Sequence, residues 1–143
     1  MTENNQDVLF YVLASNDELS RDNFISKLVN KINTEQRQAD IRLSSEHDCI
    51  RLEQAIWNYK PTSFIANSIA GQTQAPIQLW DKQIQSPCLD VLLNLHTEFF
   101  TEFKQYRRTI EVLDQSEGLI KMARLRWKQY QAEGINPTIH KIG

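Results

Sequence analysis

The first half of the chain alternates apolar runs with amphipathic stretches. Residues 8–13 (VLFYVL) form a continuous apolar run, which is typical of a strand buried on both faces. Turn residues follow, and an apolar stripe at helical spacing then predicts a first helix. The stripe comprises Phe24, Ile25, Leu28, Val29 and Ile32.

A second strand and a second helix are predicted directly afterwards. The strand covers residues 40–43, and Ser45 followed by Asp48 resembles the capped start of a helix. The inward side chains of that helix are Cys49, Leu52, Ala55 and Ile56. This β-α-β-α order is typical of an α/β fold with a mostly parallel sheet and helices on its faces.

The middle of the chain carries weaker signals. Short strands are predicted at residues 61–65 (PTSFI) and 76–80 (PIQLW), separated by a loop around Gly71. Many polar side chains indicate that residues 81–88 form an exposed connection. The strongest later strand signal is the apolar segment 89–95 (LDVLLNL).

The last third predicts a short helix, a strand and a longer helix. The short helix carries Phe99, Phe100 and Phe103. Residues 108–113 (RTIEVL) alternate like a half-buried strand, and a helix follows at 119–134. Because the sequence has no repeat and no linker, we predict a single domain over 1–143. Its ends, 1–7 and 136–143, are expected to be flexible.

The last predicted helix (LIKMARLRWKQYQAEG) has two distinct faces. Its buried stripe is predicted to contain Leu119, Met122, Ala123 and Tyr130. Three cations recur at steps of three and four on the other side, and two apolar residues lie at the seam. The cations are Lys121, Arg124 and Lys128, and the seam residues are Ile120 and Trp127.

Two interpretations of this helix remain open. Cations beside an indole suit an extended acidic peptide with a bulky apolar residue, because cations bind carboxylates and an aromatic wall packs against the side chain. Alternatively, the cations form an ordinary solvated face and Trp127 packs in the core.

Two further aromatic residues lie close together in the sequence. Trp57 ends the second predicted helix, and Phe64 follows seven residues later in a segment that begins with proline. In a monomer both would be core or partly covered surface. Aromatic residues grouped at the end of an element are also typical of a partner-binding hot spot.

Composition and charge narrow the possible functions. A chain of 143 residues with 41% hydrophobic and 24% charged residues suits one globular domain. The sequence has no apolar run of about 18 residues, no signal-peptide pattern and only two cysteines, so a reducing cytoplasm is expected. From Lys104 onward there are eight Lys and Arg residues against four Asp and Glu, although the whole chain has a net charge of −2. This asymmetry favours a local acidic ligand over general nucleic-acid binding.

Motifs for catalysis or nucleotide binding are missing from the sequence. The turn at residues 14–20 (ASNDELS) contains no glycine, and neither GxGxxG nor GxxxxGK[ST] occurs. His47 and Cys49 are two residues apart on a predicted helix and therefore point in different directions. Cys88 has no obvious base nearby in the sequence. We therefore predict no active site, no metal and no cofactor.

Eight short blocks occur in a specific order between about Phe10 and Gly134. They are FYVL, RLEQAIW, PTSFIANSIAG, PIQLW, LLNL, EFFTEF, IEVLD and ARLRWKQYQAEG. In order and spacing they resemble the chi subunit of the bacterial DNA polymerase III holoenzyme. The resemblance implies a Rossmann-like, three-layer α/β fold without a phosphate-binding loop. It also implies a non-catalytic accessory subunit of the clamp loader, which acts at the replisome in the bacterial cytoplasm.

The resemblance assigns a role to the last helix. In this family one surface binds the acidic C-terminal tail of single-stranded-DNA-binding protein, a tail that ends in Phe. That contact is implied to fall on Arg124, Trp127 and Lys128, with Leu113 lining the pocket. Trp127 stands where the best-known members have Tyr, so it supplies an aromatic wall but no phenolic hydroxyl.

The resemblance also implies a second surface. It binds the psi subunit, which joins chi to the clamp loader, and an accessory DNA-repair helicase is implied to use an overlapping surface. The family's Phe in the PxSF segment corresponds to Phe64, with Trp57 nearby.

Two rival hypotheses come from other classes of protein. In a single-strand nucleic-acid binder the same cations would contact phosphates while Trp127 stacks on a base. The net charge of −2 and the single small basic patch disfavour this function. An enzyme of unknown class is the third hypothesis, and no motif supports it.

Overall fold

The computed structural model describes residues 7–59, 67–69 and 76–142. Within these ranges the chain forms seven strands, three α-helices and one short 3₁₀-helix. In chain order they are β1 (Asp7–Leu13), α1 (Glu18–Thr34), β2 (Ala39–Arg42), α2 (Glu46–Tyr59), β3 (Asn67–Ile69), β4 (Ile77–Trp80), β5 (Val91–Asn94), the 3₁₀-helix (Thr101–Gln105), β6 (Arg108–Leu113), α3 (Glu117–Ala132) and β7 (Thr138–Ile142).

Three sequence-based predictions concern residues outside these ranges. They are the strand at 61–65, the loop around Gly71 and the position of Phe64. The expected N-terminal end lies outside them as well, except for Asp7, which begins β1.

All seven described strands belong to one parallel sheet. Their spatial order is β3-β4-β2-β5-β6-β1-β7, and each neighbouring pair runs parallel. Helices α1 and α2 pack on one face, whereas α3 and the 3₁₀-helix cover the other. The fold is therefore the three-layer, Rossmann-like α/β arrangement that the sequence predicts.

The α1–α2 side of the sheet carries an apolar core. Ile25 and Val29 of α1 and Leu52 and Ile56 of α2 are almost completely buried. They pack against strand residues that include Ile41, Leu79, Leu93 and Ile110. The predicted inward stripes of both helices are confirmed, although Phe24 and Ala55 lie at their half-buried edges.

Side chains before α1 and α2 fix where these helices begin. The Asp17 carboxylate accepts a hydrogen bond from the Ser20 backbone N–H at 2.9 Å. The Ser45 hydroxyl oxygen accepts one from the Asp48 N–H at 3.1 Å, which confirms the predicted cap. Each bond satisfies a donor that the first helical turn leaves without a backbone partner.

Strand β6 is more deeply buried than its sequence pattern predicts. It lies between β5 and β1, and five of its six residues are buried. The prediction of a half-buried strand was wrong because both faces of β6 are covered, including the one that carries Thr109 and Glu111. Helix α3 covers that side of the strand and places Glu111 in the interior.

The C-terminal residues form a strand where the sequence predicts a flexible tail. Residues Thr138–Ile142 make β7, which pairs in parallel with β1 from Leu9 to Leu13. The tail prediction was therefore wrong for this segment. All five residues are exposed at the edge of the sheet, so β7 lacks the apolar run that identifies a central strand.

Candidate functional site

A groove lies between α3 and the edge of the sheet formed by β1 and β7. Its volume is about 410 Å³. It is lined by Phe10, Val12, Leu113, Ile120, Ala123, Arg124, Trp127, Lys128, Gln131 and Ile139. The lining combines an apolar floor with two cations on one rim. We call it the α3 groove.

The α3 groove brings together five of the six residues predicted for the acidic ligand. They are Leu113, Ile120, Arg124, Trp127 and Lys128. The sixth, Lys121, is not among the lining residues. Its side chain is 76% exposed and its ammonium lies 3.8 Å from the Glu117 carboxylate, one turn earlier on α3.

Trp127 forms a wall of the α3 groove. Its ring packs against Phe10 of β1, with 5.3 Å between the ring centroids, while the residue stays partly exposed. Phe10 also meets Tyr130 edge-on at 5.9 Å, and Tyr130 is fully buried. Packing from beneath therefore fixes the indole while part of it still faces the groove.

Arg124 and Lys128 stand one turn apart on the exposed side of α3. Within the described part of the chain neither side chain forms an ion pair, whereas several other arginines do. Those paired arginines are Arg21, Arg37, Arg51, Arg108 and Arg126. The two groove cations therefore give this rim a positive potential that an acidic ligand can neutralise.

Sequence reasoning missed Arg126, the residue that fixes how α3 sits on the sheet. It is only 2% exposed, and its guanidinium donates to the Glu111 carboxylate at 2.7 Å. The same guanidinium donates to the His96 carbonyl at 3.3 Å. Tyr130 and Asn94 donate to the other Glu111 oxygen at 2.6 and 3.1 Å. This buried network fixes the rotation of α3 that turns Arg124 and Lys128 outward.

Glu111 is the charged partner at the centre of this network. Burial raises the pKa of its carboxyl, and the charge of Arg126 with the surrounding hydrogen bonds acts in the opposite direction. One signal in the sequence could have revealed the pair. A carboxylate in the otherwise apolar segment IEVL requires a buried partner if the strand is central.

The predicted buried stripe of α3 is only partly correct. Tyr130 is fully buried, whereas Leu119, Met122 and Ala123 are half-buried. The apolar residue between the two groove cations, Leu125, is 61% exposed and does not line the groove.

The second predicted surface is described only in part. Trp57 near the end of α2 is 54% exposed, and Ile50, two turns earlier on the same helix face, is 51% exposed. Tyr59 of α2 and Leu19 of α1 are also exposed. Of the described residues, Trp57 and Ile50 therefore form an outward apolar patch on one face of α2, which we call the α2 patch.

The two thiols lie in environments that disfavour reaction. Burial raises the pKa of the Cys49 thiol to about 12 and that of Cys88 to about 11. Among the described residues, no three His, Cys, Asp or Glu side chains are grouped so that they could hold a metal ion. None of the described helices is long and apolar enough to cross a membrane.

Comparison with known proteins identifies a family whose model spans most of the chain. The family described as "DNA polymerase III chi subunit, HolC" matches residues 6–138. The chain therefore belongs to the DNA polymerase III chi subunit family.

A curated relative and a solved structure are similar to the chain. DNA polymerase III subunit chi of Escherichia coli (strain K12) is 25% identical over 135 residues, which cover 89% of this chain and 92% of that protein. The structure titled "The crystal structure of T4 UvsW" superposes with a TM-score of 0.65 at 10% identity. The superposition covers 96% of this chain but only 42% of the T4 UvsW chain. At 10% identity the similarity concerns the fold alone.

Proposed function

We propose that this chain is a non-catalytic accessory subunit of bacterial DNA polymerase III, and that its α3 groove binds the acidic C-terminal tail of single-stranded-DNA-binding protein. One observation carries the proposal: Arg124 and Lys128 form a basic rim beside Trp127, over an apolar floor. Membership of the chi family supports the role in the polymerase complex and a place in the bacterial cytoplasm.

The chemistry of the groove fits a peptide that is acidic and ends in an aromatic residue. Arg124 and Lys128 bind the tail's carboxylates, including the terminal one, by charge-assisted hydrogen bonds. The terminal phenyl ring packs between Trp127 and the floor residues Val12 and Leu113. No bond is made or broken, so the groove acts by recognition alone.

The expected affinity is modest. The cations are exposed, so each contact replaces well-hydrated groups and is screened by salt. A few such contacts and one buried phenyl ring correspond to a dissociation constant on the order of micromolar. Weak binding suits a subunit that must release one tail and take up another.

A titration that changes the peptide tests the proposal. An acidic peptide ending in Phe, labelled and followed by fluorescence anisotropy, is expected to bind saturably and to lose about tenfold in affinity when that Phe becomes Ala. About 0.5 M salt should weaken the same complex. Salt-independent binding, or an equal affinity for the Ala peptide, would contradict the proposal. Tighter binding of an oligonucleotide that displaces the peptide would favour the single-strand nucleic-acid binder instead.

We further propose that the α2 patch docks the psi subunit and that this contact links the bound tail to the polymerase. The exposed indole of Trp57, with Ile50 on the same helix face, supports an aromatic anchor there. The family resemblance adds two elements to this proposal. Phe64 would contact psi, and an accessory helicase would compete with psi for an overlapping surface.

A pair of truncations separates the α2 patch from the α3 groove. Trp57→Ala is expected to weaken psi binding by at least about tenfold, because exposed aromatic anchors dominate such interfaces. It should leave affinity for the acidic peptide unchanged. Leu125→Ala, which truncates an equally exposed apolar residue on α3, is the matched control. Surface plasmon resonance with immobilised psi measures the affinity of both variants. Equal weakening of psi binding by Trp57→Ala and Leu125→Ala would contradict the assignment of psi to the α2 patch.

A further inference from the structure

Strand β7 forms one end of the sheet, directly beside the α3 groove. It pairs with β1 on one side and is the last strand in the sheet order. Ile139 of β7 is 50% exposed and lines the α3 groove. The groove therefore has a side-chain wall on α3 and a strand edge on the opposite side.

Within residues 7–59, 67–69 and 76–142, no strand pairs with the outer side of β7, and the backbone geometry shows which groups lie on that side. The Ala14 N–H donates to the Ile142 carbonyl at 3.1 Å, so the backbone of Ile142 faces β1. Along a strand the N–H and C=O of alternate residues face opposite sides. The backbone N–H and C=O of Ile139 and Lys141 therefore point away from β1, towards the open edge.

The side chains of β7 alternate in the perpendicular direction. The His140 ring stacks on Tyr11, at 5.4 Å between centroids, and Tyr11 packs on the α1–α2 side. Ile139 lines the α3 groove on the other face, and Lys141 shares that face because it is two residues further along. Lys141 is exposed and lies in register with Val12, a floor residue of the groove.

We propose that the acidic tail adds to the free edge of β7 as an extended strand. This inference rests on the proposed function and deepens it, because backbone hydrogen bonds from Ile139 and Lys141 would hold the tail in addition to the α3 cations. Lys141 is not a lining residue of the groove, but it lies on the groove-side face of β7 and would add a third positive charge beside the added strand. Addition of a peptide strand to an exposed edge is a general mode of recognition that gives affinity through main-chain bonds.

Charge favours an acidic peptide over a second copy of the chain at this edge. Pairing of two β7 edges would bring the exposed Lys141 side chains of both copies close together, and such lysines disfavour edge-to-edge association. An acidic strand would instead lie between Lys141 on β7 and the two cations of the groove on α3, Arg124 and Lys128.

Two variants at one position test the role of the free edge. Lys141→Ala removes the charge and keeps the backbone N–H, whereas Lys141→Pro removes both. The N–H that Lys141→Pro removes points away from β1. The hydrogen bonds between β1 and β7 should therefore remain, because proline is tolerated where the N–H of an edge strand faces away from the sheet. If the Ala14 amide stays protected against hydrogen exchange in this variant, the pairing of β1 with β7 is intact.

Affinity for the acidic peptide then decides the question. Lys141→Ala is expected to weaken peptide binding by about two- to threefold relative to wild type. Lys141→Pro is expected to weaken it by about fivefold or more relative to Lys141→Ala. If Lys141→Ala and Lys141→Pro bound the peptide equally well, the strand addition would be overturned. If Arg124→Ala still abolished the binding seen with wild type, the proposed function would nevertheless stand. Absence of wild-type binding would instead overturn the proposed function.

A scan of the peptide gives an independent answer if proline disturbs β7. Methylation of single backbone nitrogens in the tail should weaken binding at every second residue, because only alternate amides of an added strand face β7. Weakening without this period of two would overturn the proposal.

Discussion

Replacing Arg126 with alanine is expected to destabilise the folded chain by about 3–5 kcal/mol, the cost of leaving one partner of a buried ion pair alone. Arg126 is 2% exposed, and Glu111, its partner at 2.7 Å, is 7% exposed. Tyr130 and Asn94 would still donate to Glu111, but no positive charge would remain beside it. Urea unfolding followed by circular dichroism measures the loss.

The loss should depend on pH in a definite direction. Burial already raises the pKa of Glu111, and removal of Arg126 raises it further. A carboxyl with a raised pKa in the folded state stabilises the fold below its unfolded pKa, and this stabilisation is lost as pH rises through the folded pKa. The difference in the free energy of unfolding between Arg126→Ala and wild type should therefore be smaller at about pH 5 than at about pH 7. A constant difference would contradict a further rise in the pKa of Glu111 on removal of Arg126.

Two further variants separate charge from packing. Arg126→Met combined with Glu111→Gln removes both charges and keeps an oxygen for the Tyr130 hydroxyl, so it should recover about half of the lost stability or more. Arg124→Ala, two residues away on the exposed side, should change stability by no more than about 0.5 kcal/mol. Equal destabilisation by Arg124→Ala and Arg126→Ala would contradict the assigned orientation of α3.

Arg124→Ala is expected to weaken binding of the acidic peptide by about ten- to a hundredfold, which corresponds to the loss of one charge-assisted hydrogen-bonded contact. Arg124 lines the α3 groove next to Trp127, and no other described residue pairs with its charge. Isothermal titration calorimetry measures the change, with unfolding data to confirm that the fold is intact.

Lys121→Ala is the matched control for this prediction. It removes a cation three residues away on the same helix, but Lys121 lies outside the groove lining and beside Glu117. Its affinity for the peptide should fall by no more than about twofold. If both variants weakened binding equally, general attraction to a basic helix would explain the affinity better than a specific groove.

Local sequence patterns predicted most of the architecture. The run VLFYVL predicts β1 because a strand covered on both faces has no polar row, and β1 lies between β6 and β7 with helices on both sides. The period of apolar residues predicts α1 and α2, and side-chain caps fix their starts. The groove residues of α3 also follow from local spacing, since Arg124, Trp127 and Lys128 are neighbours on any helix.

The features that the sequence did not predict depend on contacts between distant segments. Arg126 belongs to a run of surface-like charges, and only the position of Glu111 in a central strand makes it a buried residue. Strand β7 is exposed and short, so its pattern resembles a tail until β1 offers it an edge. Helical spacing predicts Lys121 on the basic face of α3, but spacing alone does not show which cations of that face line the groove, and Lys121 does not.

The three indole N–H groups offer the most direct test of the α3 groove as the tail site. Trp127 lines the groove, Trp57 lies on the α2 patch, and the Trp80 indole donates to Asp40 at 3.0 Å in the interior. Their signals in a ¹⁵N–¹H spectrum can be assigned with single Trp→Phe variants and followed as the acidic peptide ending in Phe is added. A saturable shift of the Trp127 signal, with those of Trp57 and Trp80 unchanged, is the predicted result. Binding that leaves the Trp127 signal in place, or shifts Trp57 instead, would contradict the assignment of the tail to α3.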